Sequence, residues 1–429
     1  MQLSKVNETI RKIFSKFFRS EYSSIIESYV FLFAINIVNY LFPFITFPYL
    51  VRVLKVEGYG LLSLAQSLAG YFSILSNYGF DIIGIQKIAI KRENKEESGE
   101  VLTEIIGAKL LFVIAGFLIL SCTVFLVPKL RGHYLIFFLS YLAILVEALN
   151  PYWFFRGIEK LTSIAILTLI SKALYTIGIF TLVKSQKDLN LVPVLGSIAN
   201  ILVVFGAFHK IIKLGYIPRF PRFQNVITQA KESFTIFLAQ VTKSLNTTST
   251  TFILGIMTNN TYVGYFAAAQ RIVAIIFTFV QITQQAAYPY ANRLVATSKN
   301  SAKKFFKKFL LIVISLGGLL SLMLLLIANV IIKILLGQAY IPSLATLRIL
   351  SLFLFFAGLE NTLSILIMVP LGFKRELAKI LWSSSIINII LTILTVRFFN
   401  HVGAAISLTI TYIYTVSLLY TFLKKRKAL

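Results

Sequence analysis

About twelve apolar runs follow one another along this chain, and each is long enough to cross a membrane. A helix needs roughly 20 apolar residues to span about 30 Å of hydrocarbon. The runs are continuously apolar and do not alternate, so they predict helices and not barrel strands. With 57% apolar residues and a mean hydropathy of +0.82, the chain has more apolar surface than a soluble core can bury. The sequence therefore predicts an all-α integral membrane protein. The predicted spans are residues 29–50, 59–80, 108–127, 135–155, 162–183, 191–208, 234–257, 265–287, 309–330, 344–369, 380–398 and 403–423.

The charges of the chain indicate how these spans are oriented. The 42 Lys and Arg outnumber the 16 Asp and Glu, which gives a formal net charge of +26. Most of these cations lie in alternate connections and at the two termini. The positive-inside rule predicts that both termini are cytoplasmic, which requires an even number of spans, such as twelve. Topology and anionic lipid headgroups explain the basic excess better than a nucleic-acid partner does.

The spans fall into two groups of six around the connection 209–233, which carries Pro218 and Pro221. Residues 59–66 resemble residues 263–270, and both segments share their Gly and Gln positions. Parallel repeats of this kind are common in transporters, where the binding site lies between the halves. The pattern therefore predicts two lobes.

We predict five regions along the chain. Residues 1–28 place apolar and basic side chains at helical spacing, which is typical of an amphipathic helix on a membrane surface. The regions are an interfacial cytoplasmic helix (1–28), an N-lobe with six spans (29–208), a cytoplasmic inter-lobe connection (209–233), a C-lobe with six spans (234–423) and a basic cytoplasmic tail (424–429).

Several cations lie inside the predicted spans. A charge at this depth is costly and usually faces a bundle interior or a water-filled cavity. Lys172 and Lys243 lie near the middle of their spans, and Arg271 lies nearer one end. These three residues suggest a pathway for an anionic molecule, and for Lys172 and Lys243 the alternative is a buried pair with Glu147. The other cations, near span ends, are explained by snorkelling to the interface: Lys109, Arg348 and Arg397.

Acids and uncharged polar residues are candidates for other roles. Glu147 and Glu360 lie well inside spans, either as ion-pair partners, which we favour, or as coupling sites for H+ or Na+. Pro43 and Pro48 are candidates for a hinge in the first span, although proline is tolerated in membrane helices. Amides and hydroxyls concentrate in the first, seventh and eighth spans, where they are suited to sugar hydroxyls or to interhelical hydrogen bonds. They are Asn36, Asn39, Gln240, Asn246, Thr247, Thr248, Gln281, Gln284 and Gln285.

Catalytic and cofactor motifs do not emerge from the sequence. The single Cys122 permits no disulfide framework, and the three scattered histidines form no metal constellation. No Gly-rich phosphate loop is present, so ATP hydrolysis by this chain is not expected. We predict neither an enzyme nor a bound cofactor, with energy drawn from an ion gradient, the membrane potential or consumption of the product.

Three stretches resemble a known family. Residues 47–54, Phe-Pro-Tyr-Leu-Val-Arg-Val-Leu, followed by Glu-Gly-Tyr-Gly at 57–60, resemble the first-span exit of the polysaccharide flippases, the exporters of lipid-linked O-antigen and capsule repeat units. Residues 150–160, Asn-Pro-Tyr-Trp-Phe-Phe-Arg-Gly-Ile-Glu-Lys, resemble their fourth-span exit. Residues 263–265 and 269–271 resemble the start of their eighth span. The similarity covers essentially the whole chain, and Lys55 departs from it where the family usually has Gly.

This resemblance implies a fold and a substrate. The fold is that of the multidrug/oligosaccharidyl-lipid/polysaccharide exporter superfamily, with two six-helix lobes around a central cavity that opens alternately to either face. The implied substrate is an oligosaccharide on undecaprenyl pyrophosphate, moved from the cytoplasmic to the outer leaflet of a bacterial inner membrane. The implied partners are a polysaccharide polymerase and chain-length machinery, and we expect a monomer.

The residues inside the spans fit such a substrate. Lys and Arg form charge-assisted hydrogen bonds to phosphate oxygens, and a pyrophosphate cannot cross hydrocarbon bare. Our hypothesis is that four cations hold the headgroup and that amides contact the sugars. The cations are Lys172, Lys243, Arg271 and Arg52, and the amides are Asn39, Gln240, Asn246 and Gln284.

Two other functions stay open. A cation-coupled drug exporter of the same fold would present acids to its cargo, and the spans hold more cations than acids. A membrane-embedded glycosyltransferase or polysaccharide polymerase usually needs carboxylates or a large outer loop, and the predicted outer connections are short.

Overall fold

The computed structural model describes residues 42–217, 223–426 and 428, and every regular element in these ranges is helical. The predicted interfacial helix over 1–28, together with Asn36 and Asn39, lies outside the described residues. The long helices are α1 (Phe42–Val53), α2 (Lys55–Asn77), α3 (Lys95–Leu126), α4 (Tyr134–Leu149), α5 (Leu161–Leu182), α6 (Leu191–Lys213), α7 (Phe223–Met257), α8 (Asn260–Thr297), α9 (Lys299–Ile331) and α10 (Leu344–Asn361, continued by a π-helical segment, Thr362–Met368).

The last helical segment, Lys374–Lys425, holds two spans. Its 52 residues would be roughly 78 Å long if straight, far more than one bilayer crossing requires. Asn400 interrupts it with φ 47° and ψ −126°, so residues 374–399 form α11 and residues 401–425 form α12. Gly403 permits the tight reversal, because a Cβ there would lie 2.2 Å from the carbonyl oxygen of Thr395.

The number of spans agrees with the sequence. By length and composition, eight of the described helices can cross a membrane, and the segment containing α11 and α12 is one of them. The chain also passes through α1 and α2 before these eight helices and through α7 between them, and the segment of α11 and α12 counts twice, which gives twelve crossings. Large apolar side chains on the outer faces remain exposed, as expected for contact with lipid; on α3 they include Leu111, Ile114, Phe117 and Leu118. The prediction of an all-α, twelve-span, multi-pass membrane protein is confirmed.

Several helices are longer than predicted at one end only. α3 begins at Lys95 instead of residue 108, and α9 begins at Lys299 instead of residue 309. α8 ends at Thr297, so Ser298 alone separates it from α9, and its side chain caps α9 by accepting from the Ser301 amide. The predicted connection 288–308 is therefore a helical hairpin. Hydropathy marks where hydrocarbon ends, and these helices continue beyond it.

The longer ends all belong to the basic connections 81–107, 209–233 and 288–308, and we call this the basic end of the bundle. The opposite end is joined by residues 127–133, 183–190 and 332–343, and we call it the outer end. By the positive-inside rule, the basic end is the predicted cytoplasmic end.

The apolar core has three parts, and their positions show how the two groups of helices meet. The largest cluster joins both groups and includes Val51, Leu62, Val263 and Leu350. A second cluster lies at the basic end around Phe80 and Trp153, where the short helices Phe80–Lys91 and Tyr152–Gly157 pack with α3 to α7. Among the described residues, a third cluster, around Phe306 and Met368, is built by α8 to α12 and the C-terminal residues alone. The two groups of helices therefore share a core towards the outer end and have separate cores at the basic end.

Two glycines allow the closest approach between the lobes. A Cβ on Gly60 of α2 would lie 1.8 Å from the carbonyl oxygen of Asn260, and a Cβ on Gly264 of α8 would lie 2.2 Å from that of Val56. The predicted repeat pairs Gly60 with Gly264 and, at the same offset, Val56 with Asn260. The contact is thus reciprocal, as expected where two repeats meet on a pseudo-two-fold axis.

Helix α7 is bonded to both groups of helices. In its half at the basic end, Gln229 donates to Glu104 of α3 at 2.8 Å, and Glu232 pairs with Lys87 at 2.6 Å. In its outer half, Thr250 donates to Asn388 of α11 at 3.1 Å. The predicted domain boundaries are not tested by these contacts and stay a prediction.

Candidate functional site

A cavity of about 1060 Å³ lies between the lobes, beneath the outer-end contacts. The residues around it come from α1, α2, α4, α5 and α6 on one side and from α7, α8, α10 and α12 on the other. The Gly60–Gly264 contact and the shared apolar core lie at its outer end. The lobes therefore enclose the cavity from the outer end.

Two cations line this cavity. Lys172 is half-buried on α5, and Arg271 is exposed to the cavity on α8. They are close enough for their charges to repel each other, and Arg271 also acts electrostatically on the phenols of Tyr59 and Tyr175. Among the described residues, no hydrogen bond or ion pair occupies the Arg271 guanidinium. Two like charges held together in a cavity favour a ligand that carries negative charge.

The position of Lys172 is fixed by the packing of α5 on α6. Its neighbour Ser171 is buried and donates to the carbonyl oxygen of Ala199 on α6 at 2.7 Å. Arg271 is positioned by α8, whose first turn is capped by Asn259 and whose Gly264 rests on α2. The cation pair is thus assembled by one helix from each lobe.

Two carboxylates also line the cavity. Glu147 of α4 accepts a hydrogen bond from Ser73 of α2 at 3.1 Å, and Glu360 of α10 acts electrostatically on Tyr412 of α12. These acids come from the fourth helix of each lobe. Within the described parts of the chain Glu147 forms no ion pair. The cavity wall described here thus has as many acids as cations, which weakens the sequence argument against a drug exporter.

Uncharged polar groups make up much of the remaining wall. Gln66 and Gln270 occupy equivalent positions in the repeat and line the cavity from the two lobes. Amides and hydroxyls of this kind suit a ligand rich in hydroxyl groups. The other members of this wall include Ser67, Asn200, Thr248, Thr251, Gln281 and Asn361.

The predicted site residues divide into three groups. The cavity wall includes the four charged residues Lys172, Arg271, Glu147 and Glu360, together with Pro43 of α1. Three predicted residues on α7 have side chains outside the part that the structure describes, and Asn39 lies outside it altogether. The three on α7 are Gln240, Lys243 and Asn246. The hinge proposed at Pro43 and Pro48 is untested, and α1 is helical through both residues.

Two predicted residues lie away from the cavity wall. Gln284 is buried within the C-lobe, where it donates to Gly358 O at 2.8 Å and to Thr362 Oγ1 at 2.7 Å and accepts from Asn361. It forms the interhelical bonds that were its alternative interpretation. Arg52 lies at the outer end of α1 and donates to the carbonyl oxygen of Ile334.

The interpretation of Lys109 as a snorkelling residue is wrong. Its side chain is only 4% exposed, and its Nζ lies 2.6 Å from a carboxylate oxygen of Asp81. Asp81 follows the turn at Tyr78 and Gly79 that ends α2, and this turn directs the carboxylate back towards α3. The partner comes from a connection, so a search for acids within spans missed it.

Three tyrosines are among the cavity residues that sequence reasoning missed. Tyr59, Tyr175 and Tyr412 all line the cavity. Tyrosine in a membrane span is usually read as an interfacial anchor, which hides such a role. The one signal in the sequence was the internal repeat, because the segment 59–66 begins with Tyr59 and ends with Gln66, which also lines the cavity.

Comparison with known proteins decides the family. The chain matches the family described as "Polysaccharide biosynthesis protein" over residues 25–295. The chain belongs to this family. It is also 28% identical over 91% of its length to a protein of Escherichia coli (strain K12), and 26% identical over 89% to one of Shigella dysenteriae. These matches cover 94% and 95% of the relatives, both of which are named "Putative O-antigen transporter".

Solved structures share the fold. The lipid II flippase MurJ, in an inward closed conformation, aligns with a TM-score of 0.68 and 17% identity, covering 93% of this chain and 87% of MurJ. An inward-facing multidrug transporter of the MATE family aligns with a TM-score of 0.65 and 12% identity, covering 89% and 97%. The predicted superfamily fold is confirmed. These relatives are named as transporters and flippases, in agreement with the prediction that the chain is not an enzyme.

Proposed function

We propose that this protein is a flippase for a lipid-linked oligosaccharide. In this proposal the substrate is a saccharide on undecaprenyl pyrophosphate, which the protein moves from the cytoplasmic to the outer leaflet of a bacterial inner membrane by alternating access. The observation that carries the proposal is the pair Lys172 and Arg271, held by opposite lobes in one cavity. The names of the relatives in Escherichia coli and Shigella dysenteriae support the same class of cargo.

The chemistry of the cavity suits the two polar parts of such a substrate. The pyrophosphate bears negative charge and offers several acceptor oxygens, which ammonium and guanidinium groups bind by charge-assisted hydrogen bonds. The sugars offer hydroxyls to the amides of Gln66 and Gln270 and to the hydroxyls near them. The cavity volume of about 1060 Å³ is at the upper end of the range for small-molecule pockets. The lipid tail stays in the bilayer between the lobes.

The described conformation is the one that accepts this substrate. If the basic end is cytoplasmic, a bundle that is closed at its outer end is inward-facing. Binding in this state, closure at the basic end and opening at the outer end would complete one transfer. We propose Glu147 and Glu360 as sites where H+ or Na+ couples to this cycle, and the protein as a monomer that supplies a polysaccharide polymerase.

The test is neutralisation of the cation pair. Lys172→Gln and Arg271→Gln each remove hydrogen bonds to a charged group, worth about 1.5–3 kcal/mol apiece, so each is expected to reduce export roughly 10- to 100-fold. Lys184→Gln is the matched control, because Lys184 lies in a predicted outer connection and, among the described residues, bonds within its own lobe. Lipid-linked oligosaccharide is measured in cells that carry each variant, and its leaflet is assigned by an externally added glycan-modifying enzyme.

Complete repeat units trapped on the cytoplasmic face are the expected result. Wild-type export by the double variant, present in the membrane at wild-type amount, would overturn the role of the pair. Incomplete units in cells depleted of the protein would indicate a transferase, and unpolymerised complete units in the outer leaflet would indicate a polymerase.

A second candidate function rests on the two cavity acids. Glu147 and Glu360 are suited to a cationic drug exchanged for protons. If Glu147→Gln and Glu360→Gln abolish resistance to a cationic dye while lipid-linked oligosaccharide is exported normally, this candidate is the correct one.

A further inference from the structure

Two cations of the N-lobe bind the ends of C-lobe helices at the outer end of the bundle. Arg52, at the end of α1, donates through its guanidinium to the carbonyl oxygen of Ile334, in the turn that follows α9. Lys129, in the short helix after α3, donates through its ammonium to the carbonyl oxygens of Gly255 and Thr258, at the end of α7. Both contacts cross the boundary between the lobes.

Helix ends supply good acceptors for such cations. The last carbonyls of a helix have no intrahelical partner, and they carry the negative end of the helix dipole. A cation from the facing lobe therefore satisfies them only while the two lobes are together. Burial lowers the pKa of Lys129 below the ordinary value for lysine, and its two carbonyl bonds offset this cost of holding the charge between the lobes.

The two contacts are related by the internal repeat. One joins α1 to the end of α9, and the other joins the end of α3 to the end of α7. In the internal repeat, α1 corresponds to α7 and α3 corresponds to α9. The two contacts therefore occupy equivalent positions. The same boundary is bridged from the C-lobe by Tyr340, whose hydroxyl lies 3.3 Å from the carbonyl oxygens of both Val51 and Lys55.

We propose that Arg52 and Lys129 are the gate residues of transport, and that they hold the outer end closed by capping helices of the opposite lobe. The proposal rests on the alternating access of the proposed function but not on the identity of its cargo. Release of cargo to the outer leaflet requires both contacts to break. This assigns Arg52 to the gate instead of to the headgroup of the substrate.

The experiment measures how often the outer end opens. Ala274 lines the cavity one turn from Arg271 and is converted to cysteine in a background where the exposed Cys122 is replaced by serine. Intact cells are treated with a membrane-impermeant maleimide, and the labelling rate of Ala274→Cys reports access from outside. Lys187→Cys, in a predicted outer connection, verifies that the reagent reaches that side.

Removal of the gate contacts is expected to accelerate this labelling. Arg52→Gln and Lys129→Gln should each raise the rate about tenfold, because a charge-assisted hydrogen bond changes the ratio of closed to open states by roughly that factor. The double variant should exceed both. Lys184→Gln is the matched control, since Lys184 caps Phe180 at 2.8 Å within one lobe and should leave the rate unchanged.

Labelling of the double variant at the wild-type rate would overturn the proposal. If the double variant does not reach the membrane, the labelling rates of the single variants test the proposal. Lys129→Arg retains the charge and should be labelled as slowly as the wild type. The measurement is independent of cargo. If the gate double variant is labelled slowly while Lys172→Gln loses export, the gate alone is rejected. If the gate double variant is labelled rapidly while Lys172→Gln and Arg271→Gln export normally, the proposed function alone is rejected.

Discussion

Lys109 and Lys172 are both lysines within membrane helices, and their surroundings give them opposite roles. Lys109 is almost fully buried and bound to Asp81 at 2.6 Å, which makes it structural. Lys172 is half-buried in the wall of a cavity beside another cation. From the sequence, Lys172 is expected near the middle of a span and Lys109 near the end of one. The partner of Lys109 could not be predicted, because Asp81 reaches it through a turn outside the span.

The Lys109–Asp81 pair predicts an asymmetric effect on stability. Asp81→Asn leaves a buried ammonium without a counter-charge and should cost about 3 kcal/mol of unfolding free energy, as broken buried pairs do. Lys109→Met should cost clearly less, because Asp81 is 36% exposed and keeps its hydrogen bond from Asn77. Thermal unfolding in detergent checks the order of the two melting temperatures. Equal melting temperatures would contradict the proposed difference in burial.

The glutamines of α8 illustrate the limit of sequence reasoning about orientation. Gln281 lines the cavity, while Gln284, less than one turn later, is enclosed by Gly358, Asn361 and Thr362 of the α10 segment. Both side chains lie on nearly the same face of the helix. What separates them is the position of α10, which depends on contacts distant in the sequence.

At the scale of whole helices, the sequence predicted the elements and missed their length. Apolar runs mark the hydrocarbon and therefore located the spans. The extensions of α3, α8 and α9 carry Lys, Arg or Glu, which end a hydropathy signal without ending a helix. Local caps, such as Asn94 before α3 and Ser298 before α9, mark the true ends more accurately.

The crossing of α2 and α8 predicts an effect of glycine substitution. Gly60→Ala would place a methyl group 1.8 Å from the carbonyl oxygen of Asn260, which forces the outer ends of the lobes apart. We expect faster labelling of Ala274→Cys from outside and a loss of most export activity. Gly70→Ala is the control on the same helix, because its nearest neighbour is a Thr248 methyl carbon at 3.4 Å. Unchanged labelling in Gly60→Ala would mean that this contact does not limit opening.

For the whole molecule, the sequence predicted two lobes but not their relative position. An alternating-access transporter has the same sequence, spans and charges in each of its states, so hydropathy carries no information about which state is populated. The structure supplies that information through its separate apolar clusters at the basic end and its reciprocal contact at Gly60 and Gly264. Helix α7 adds a constraint, since it is bonded to both lobes and must change shape or partners when they move.

The direction of transport depends on which side of the membrane the outer end of the bundle faces. If it faces the outside of the cell, a pattern of labelling follows. Lys187→Cys should react with an impermeant maleimide in intact cells, because it lies in the connection before α6 at the outer end. Lys304→Cys, exposed on the α9 extension, should react only after permeabilisation. The reverse pattern would make the described conformation outward-facing. The proposed gate at Arg52 and Lys129 would then close the cytoplasmic side, which is the side where the proposed lipid-linked substrate is made.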